Sequence, residues 1–587
     1  MNQLPTHRHQ MPGSAATPRG ATRIRMDGVR KRALDIGRNR LLVTGAVILL
    51  AFGSVGARLI DLMLSDGATL TRAEIVRGGV TPVVSRADIT DRNGFVIATS
   101  LPISSLYADP SKILDVNEAV EKLVDVLPDL DRRVLTERLT EERRFVWLKR
   151  GLTPDEKYEV NRLGIPGLGF RREESRVYPH GALAAHVLGY TDTDNQGIAG
   201  IEREFNDQLA GSSEPLRLSL DIRIQSFMRS ELLRAIDEFR AIGGAGVVVD
   251  IQTGEVLAMV SLPDFDPNIA GSAEGDSAFN RATKGVYEMG STFKLLTVAT
   301  ALDAGVVDIT GGYDASEPIR IARFVINDFH PEKRWLSVPE IIIHSSNIAS
   351  AKMAQDIGVE RHKAYLKRFG LLRSSDIELP EVGAPLYPHT WREINTMTIA
   401  FGHGIAVSPI QLVSAISAMT NGGILRKPTL LAQPEGVEVP GERVIKQKTS
   451  ALVRGLMRVN VIQGSGKKAN AEGYMVGGKT GTADKLGERG YLDDKRIASF
   501  VAAFPIQNPR YVLFAMIDEP KGNKSTFGYA TGGWVAAPVI GNVVAEMGPM
   551  LGIKPVPSTD KDTPFMAEAV RFVTPSMQDG EGSGEAQ

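Results

Sequence analysis

The pattern of apolar and polar positions changes character near residue 240. Before it, apolar residues are interspersed with many charges; after it, short β-branched and apolar runs flank turn signals that contain Gly or Pro. Such runs are typical of buried β-hairpins. Two hairpins are predicted, one at each end of the region that follows. Their strands are 246–250, 256–261, 498–504 and 511–517.

Helical segments separate the two hairpins. Residues 291–304 and 339–357 are each predicted as one such segment. Strands, then helices, then strands again favour an α+β domain in which helices pack around a central antiparallel sheet built from both ends. We assign residues 236–550 to this domain.

A second, mixed domain is predicted over residues 66–235. It has many charges and several short strand-like runs. Residues 88–94 read as a strand that enters an Asn-Gly turn, and a strand over 95–98 leaves that turn.

The two ends of the chain have different compositions. Residues 1–40 are rich in Arg, Pro, Gly and Ser, and we interpret them as a disordered cytoplasmic segment. Residues 41–60 then form an apolar stretch, free of charge from 41 to 57, which predicts one transmembrane helix with the basic side in the cytoplasm. A cleaved signal peptide is the alternative, although residues 51–57 offer only a weak cleavage site. Residues 551–587 are predicted to be disordered.

Composition narrows the classes of function. A chain of 587 residues is too long for one core, so at least two folded units are expected. The net charge of −1 indicates no nucleic-acid partner. The chain has no cysteine, which excludes disulfides, thiolate metal sites and a cysteine nucleophile. No metal-binding motif is evident, and no cofactor is expected.

Three short motifs carry the candidate chemistry. They occur in the order Ser291-Thr-Phe-Lys294, Ser345-Ser-Asn347 and Lys479-Thr480-Gly481-Thr482. A serine hydroxyl needs a base in contact with it to act as a nucleophile. Positions i and i+3 of a helix share one face, so Lys294 is expected to reach the hydroxyl of Ser291. Burial and the charge of Lys479 are expected to lower the pKa of Lys294 so that it accepts the proton.

The other motif residues have predicted supporting roles. The backbone N–H groups of Ser291, at a helix start, and of Thr482 are candidate oxyanion donors. Ser345 is expected to relay a proton to the leaving group, and Asn347 to hold a substrate amide. Lys479, Thr480 and Thr482 are candidates for binding a terminal carboxylate, and Gly481 helps to leave an open strand edge for a peptide.

Some similar patterns have simpler interpretations. Ser465-Gly-Lys-Lys468 repeats the S-x-x-K spacing, but it lies in a glycine-bearing loop without an apolar helix behind it. We therefore expect no function for it. His344 is expected to pack or face solvent, because Lys294 already fills the role of base. His403, flanked by glycines, is expected to be structural.

With these motifs the chain resembles the class B penicillin-binding proteins, most closely those of the septal, FtsI type. The resemblance covers about residues 80 to 545. Met289 and Ser219 depart from the residues usual in that family, which are proline and threonine. Beyond the three motifs, the resemblance includes Arg86, Asp91-Arg-Asn-Gly94, Arg176-Val-Tyr-Pro-His-Gly181, His186, Gly197-Ile-Ala-Gly-Ile-Glu202, Asp221, Asn280-Arg-Ala282 and Phe401-Gly-His-Gly404.

The resemblance implies an elongated non-catalytic pedestal, of the penicillin-binding protein dimerisation type, before a transpeptidase domain. It implies a peptidoglycan D,D-transpeptidase that cross-links stem peptides through a serine acyl-enzyme, with β-lactams as covalent inhibitors. It also implies an FtsW-type glycan polymerase and other division proteins as partners at the septum of the inner membrane, with the catalytic domain in the periplasm. An elongation-type enzyme, a β-lactam hydrolase or carboxypeptidase, and a non-enzymatic scaffold or sensor remain alternatives.

Overall fold

The computed structural model describes residues 42–56 and 85–556, apart from 322–323, 435 and 488–489. Residues 42–56 are helical and lie in a unit distinct from the one that begins at Val84. None of the helices in these described ranges is both long and apolar enough to cross a bilayer. The predicted segments 1–40 and most of 551–587, like the ends of 41–60, lie outside the described residues.

The first part of the larger unit is built on a five-stranded sheet. Its strands are β1 (Ile89–Thr90), β2 (Val96–Ala108), β3 (Val146–Leu152), β4 (Leu168–Val177) and β5 (Leu216–Arg217). Strand β2 pairs with three others, β1, β3 and β4, all antiparallel, and β5 pairs parallel to β1. The hairpin predicted around the Asn-Gly turn is confirmed as β1 and β2.

Six short helices accompany this sheet. Asp115 and Asp131 begin the first two, each with a side chain that accepts hydrogen bonds from two backbone N–H groups of the first turn. The helices are α1 (Val116–Val126), α2 (Arg132–Leu139), α3 (Pro154–Arg162), α4 (Ala185–Leu188), α5 (Gly200–Glu204) and α6 (Asn206–Gly211).

A second five-stranded sheet organises the rest of the unit. Its strands are β6 (Gly243–Asp250), β7 (Val256–Leu262), β14 (Gly477–Gly487), β15 (Gly490–Phe504) and β16 (Tyr511–Asp518). Their order is β14-β15-β16-β6-β7 and every neighbouring pair is antiparallel, which confirms the predicted sheet built from both ends of the region. Short strands lie between them: β8 (Gly312–Asp314), β9 (Ile319–Ile321), β10 (Phe324–Ile326), β11 (Trp335–Ser337), β12 (Ile424–Leu425) and β13 (Glu442–Arg443).

Helices cover both faces of this second sheet. Val247 and Val249 of β6 face one core, while Val248 between them faces another, as the two-residue period of a strand requires. The helices on the first side include α8 (Phe293–Asp303), α9 (Val338–His344), α10 (Asn347–Ile357), α11 (Val359–Arg368), α13 (Pro409–Thr420) and α14 (Gln447–Ile462), with α12 (Glu393–Ile399) beside α10. The second side is covered by α7 (Ile222–Glu238) and α15 (Gly532–Met550).

The position of helix α7 helps to define the boundary between the two domains. The division was predicted after residue 235, which lies inside α7. Leu232 and Met228 of this helix are fully buried in the same core as α15 and the second sheet. We therefore propose that the division lies before Ile222, with α7 as part of the second domain.

The segment predicted as one helix over 339–357 is two helices, and this expectation was wrong. Helix α9 ends at His344, and α10 begins at Asn347. Between them Ser345 adopts a left-handed conformation, with φ of 57° and ψ of 45°. Ser346 then caps α10 by accepting a hydrogen bond from the Ala349 N–H. The break therefore falls on the second motif.

A buried cluster of charges ties the first sheet to α5. Glu202 is fully buried, and its two carboxylate oxygens accept hydrogen bonds from the guanidinium groups of Arg86, at 2.7 Å, and Arg176, at 2.6 Å. Both arginines are also buried. Removing the shared carboxylate would leave two buried cations without their counter-charge, which is far more costly than losing an exposed ion pair.

We expect Glu202→Ala to lower the free energy of unfolding by about 3–5 kcal/mol, because breaking a buried pair leaves uncompensated charge. The matched control is Glu159→Ala, which removes the exposed pair between Glu159 and Arg162 and is expected to cost less than about 1 kcal/mol. Urea unfolding of the purified protein measures both. Equal shifts in the two variants would contradict the role given to the buried cluster.

Candidate active site

The turn that carries Ser291 is pressed against the edge strand of the second sheet. Residues Gly290–Thr292 form one 3-10 turn that leads into α8. Gly290 has a φ of +52°, and a Cβ added to it would lie 2.6 Å from the carbonyl oxygen of Thr482 on β14. Only glycine fits both the left-handed conformation and this approach. The glycine therefore sets Ser291 directly beside the third motif.

Lys294 lies one helical turn after Ser291 and is fully buried. Its Nζ is 2.9 Å from the Oγ of Ser291. The same nitrogen is 3.0 Å from the Oγ of Ser345 and 2.5 Å from its carbonyl oxygen. The structure thus brings together the first residues of two motifs around one amine.

Lys479 completes this arrangement from the opposite side. It is fully buried on β14, and its Nζ is 3.1 Å from the Oγ of Ser345. Ser345 reaches both lysines because the left-handed turn at the end of α9 interrupts the helix at this residue. One continuous hydrogen-bonded chain results, and it runs from Ser291 through Lys294 and Ser345 to Lys479.

The two buried amines have lowered pKa values. Burial lowers the pKa of Lys294 well below its usual range, the charge of Lys479 lowers it further, and the carboxylate of Asp328 opposes the shift. Burial lowers the pKa of Lys479 to about 7. Since both amines contact one hydroxyl, placing a proton on each is unfavourable. We assign the neutral amine to Lys294 and the proton to Lys479.

The remaining residues of the third motif lie on an edge. Among the described strands, β14 has a neighbour, β15, on one side only. The Oγ1 of Thr480 is 3.3 Å from the Nζ of Lys479, whereas the Oγ1 of Thr482 accepts a hydrogen bond of 3.1 Å from the Gly532 N–H. A Cβ on Gly481 would lie 2.6 Å from the carbonyl oxygen of Met289, so glycine is needed for this close contact.

Asn347 lies beside the chain of hydrogen bonds but is not part of it. Its Nδ2 donates to the carbonyl oxygen of Asn327, at 2.9 Å. The next residue, Asp328, holds the start of α10. Its carboxylate accepts from the Ser346 hydroxyl at 2.7 Å and from the backbone N–H groups of Asn347 at 2.5 Å and Ile348 at 3.0 Å. Sequence reasoning missed Asp328, because no local pattern connects it to a helix that begins 19 residues later, after strand β11 and helix α9.

We expect Asp328→Ala to slow acylation by a β-lactam about 10- to 100-fold, because the second motif loses the carboxylate that positions it. Asp328→Asn is the conservative control: it retains one oxygen for the backbone N–H groups, and should lose less. Stopped-flow fluorescence with a labelled penicillin gives the rates, and thermal melting tests the fold. An unchanged rate in Asp328→Ala would contradict this positioning role.

Sequence reasoning also missed a polar cluster just before Ser291. Burial raises the pKa of Glu288, whose carboxylate accepts hydrogen bonds from the Gly404 N–H at 2.8 Å and the Tyr491 hydroxyl at 3.0 Å. The ring of His403 lies 5.3 Å from that of Phe401 and 5.8 Å from that of Tyr491. Burial lowers the pKa of His403. His403 therefore packs at the side of the site.

The second S-x-x-K pattern lies closer to the site than expected. The Oγ of Ser465 is 2.7 Å from the Oγ1 of Thr480. The lysine of this pattern, Lys468, has its Nζ 4.3 Å from the ring centroid of Trp534. His344 pairs with Glu332, with 3.0 Å between Nδ1 and Oε1. Within the described ranges no group of three or more His, Asp and Glu side chains is arranged to hold a metal ion.

Two protein-family models match parts of this chain. The penicillin binding protein transpeptidase domain matches residues 244–545, and the penicillin-binding protein dimerisation domain matches residues 81–221. The first match contains all three motifs.

Similar proteins and structures agree with these matches. The chain is 41% identical to a probable peptidoglycan D,D-transpeptidase FtsI of Caulobacter vibrioides, over 80% of this chain and 82% of that protein. It is 32% identical to the peptidoglycan D,D-transpeptidase FtsI of Escherichia coli K12, over 85% and 88%. Penicillin binding protein 3 of Mycobacterium tuberculosis, solved with aztreonam, shares the fold with a TM-score of 0.64 at 23% identity, over 81% and 97%.

Proposed function

This chain belongs to the class B penicillin-binding proteins, and from that premise we propose how its residues cross-link peptidoglycan. It is a serine-type peptidoglycan D,D-transpeptidase of the FtsI type, with a role in septal cell-wall synthesis. Ser291 is the proposed nucleophile, Lys294 its base, and Ser345, Asn347 and Lys479 the supporting groups. Ser291 and Thr482 supply the proposed oxyanion N–H donors, and Thr480, Gly481 and Thr482 bind substrate.

The observation that carries this proposal is the unbroken chain from the Ser291 hydroxyl to Lys479. A neutral Lys294 at 2.9 Å is placed to take the proton of Ser291. The Oγ of Ser291 then attacks the carbonyl carbon of the penultimate D-alanine in a donor stem peptide. Negative charge develops on that carbonyl oxygen, where two backbone N–H groups stabilise it.

The acyl-enzyme forms when the bond to the terminal D-alanine breaks. Ser345, in contact with both lysines, passes a proton to the leaving nitrogen, and D-alanine departs as a free amino acid. The acceptor amine of a neighbouring strand next attacks the ester carbon, and its proton returns through the same chain. A new amide forms and the Ser291 hydroxyl is restored, so no net proton, electron or cofactor is required.

We also propose a location and partners. The segment 41–60 crosses the inner membrane once, with the N-terminus in the cytoplasm and residues 85–556 in the periplasm; the charge asymmetry and the length of the apolar stretch support this. An FtsW-type glycan polymerase and other division proteins are the proposed partners, as the resemblance to the FtsI type implies. β-Lactams acylate Ser291.

Labelling of the purified protein with a fluorescent penicillin, followed by mass-spectrometric mapping of the adduct, tests the proposal. The adduct is expected on the peptide that contains Ser291, with a lifetime much longer than the seconds expected of a hydrolase. Incubation with donor and acceptor stem peptides should yield the cross-linked dimer. An adduct on another residue would refute the assignment, and uniform side-wall placement of a tagged protein in cells would favour the elongation-type alternative.

A further inference from the structure

We propose that Ser465 is a positioning residue for donor recognition: its hydroxyl orients that of Thr480 towards the terminal carboxylate of the donor peptide. The proposal rests on the function proposed above and on the expectation from the sequence that Lys479, Thr480 and Thr482 bind that carboxylate. It gives a role to the second S-x-x-K pattern, for which none was expected.

The hydrogen bonds around Thr480 carry the argument. A hydroxyl oxygen has two acceptor positions and one proton. The Oγ1 of Thr480 lies 3.3 Å from the Nζ of Lys479, which has protons to donate, and 2.7 Å from the Oγ of Ser465. When Ser465 donates as well, both acceptor positions of Thr480 are filled. Its single proton is then left for an anionic substrate group, and the two donated bonds strengthen the bond that it makes.

The loop that carries Ser465 is held to β14 by a buried side chain. Asn460, on α14, is fully buried and donates from Nδ2 to the carbonyl oxygen of Gly478, at 2.8 Å. The backbone carbonyl of Asn460 accepts from the N–H groups of Gly464, at 3.0 Å, and Gly466, at 3.2 Å. A Cβ on Gly464 would lie 2.4 Å from the Oδ1 of Asn460. Both the loop and the strand two residues before Thr480 are therefore fixed by one residue.

The start of α15 encloses the other side of Ser465. A Cβ on Gly533 would lie 2.6 Å from the carbonyl oxygen of Ser465. The side chain of Ser465 is nevertheless exposed, so its hydroxyl lies where the buried Lys479 and Thr480 meet solvent. This placement suits a hydroxyl that stays hydrogen-bonded to Thr480 while the substrate carboxylate arrives from solvent.

A second nucleophile is the other function that the S-x-x-K spacing suggests, and the contacts disfavour it. The amine of Lys468 lies over the ring of Trp534. Within the described part of the chain, the Ser465 hydroxyl is hydrogen-bonded to the hydroxyl of Thr480. A serine without a base in contact is a poor nucleophile. Ser465 therefore acts through Thr480.

The test compares two β-lactams on full-length protein. Ser465→Ala is expected to reduce the second-order rate constant of acylation by benzylpenicillin about 3- to 13-fold, as for the loss of one hydrogen bond between uncharged groups. Acylation by the methyl ester of benzylpenicillin, which lacks the carboxylate, should change less than about twofold. Ser465→Thr keeps the hydroxyl and should restore the rate with benzylpenicillin. Ser111→Ala, in the first domain, is the matched control.

A double-mutant cycle gives an independent check. If Ser465 acts through Thr480, Ser465→Ala should have no further effect on acylation in a Thr480→Val background. Additive effects, or an equal loss with both β-lactams, would overturn the proposal, since either points to a general disturbance of the loop. No loss with either compound would overturn it too. In each case labelling of Ser291 in the unmodified protein would leave the proposed function intact, whereas absence of that adduct would refute the function itself.

Discussion

Ser291→Ala is expected to abolish acylation by penicillin and cross-linking of stem peptides, with a loss on the order of 10⁶-fold, as when other enzymes lose a catalytic serine. The reason is geometric. The Ser291 hydroxyl lies 2.9 Å from the amine of Lys294, and the turn that carries it is packed against β14. Fluorescent penicillin labelling and the yield of cross-linked dimer measure the effect.

The matched control for this prediction is Ser465→Ala. That variant is expected to keep a stoichiometric adduct at Ser291 after long incubation, although the adduct forms more slowly. Thermal melting should show both variants folded. Labelling that survives in Ser291→Ala would show that another residue is the nucleophile, and the assignment of the site would fail.

Replacing Lys294 is expected to have the second-largest effect, a loss of about 10²- to 10⁴-fold in acylation, because general-base catalysis is removed. Lys294→Arg is the sharper variant. Arginine retains a positive charge and can still donate hydrogen bonds to Ser291 and Ser345, but it stays protonated at any working pH. If Lys294 acted only through its charge, Lys294→Arg would retain activity, and that result would contradict its role as the base.

The pH dependence of acylation follows from the same pair of amines. The rate should rise with pH as Lys294 loses its proton, and should fall again as Lys479, with a pKa of about 7, loses the charge that holds the donor carboxylate. The rising and the falling parts of this pH profile report the two amines as a coupled pair, so neither apparent pKa belongs to one lysine alone. A rate that is flat between pH 5 and 9 would contradict this account.

Stability provides a separate test of the lowered pKa of Lys294. The folded protein binds this proton less tightly than the unfolded chain, in which a lysine has a pKa of about 10.4. Stability contributed by this residue therefore rises with pH between the two values and is constant above them. Lys294→Met should remove this dependence and raise the melting temperature at pH 7, while activity is lost. A variant less stable than the parent would indicate that Lys294 holds the fold together instead.

Much of the fold could be predicted from the sequence, because the signals are local. The strands of the two hairpins in the second sheet are apolar runs bounded by turn residues. The β1–β2 hairpin of the first sheet is likewise marked by its Asn-Gly turn. The predicted helix over 339–357 failed for an equally physical reason. Nothing in the local pattern distinguishes Ser345 from a helical serine. Its left-handed conformation ends α9, and the start of α10 is held by contacts with Asp328, which the local pattern does not reveal.

The candidate site divides in the same way. One turn of helix places Lys294 beside Ser291 whatever else the chain does, so their contact was determined by the sequence alone. The meeting of Ser345 with Lys479, the burial that lowers the pKa of both lysines, and the contact between Ser465 and Thr480 were decided only by the tertiary structure. These contacts join residues far apart in the chain, and their distances depend on how helices and strands pack. Spacing along a sequence carries no information about that packing.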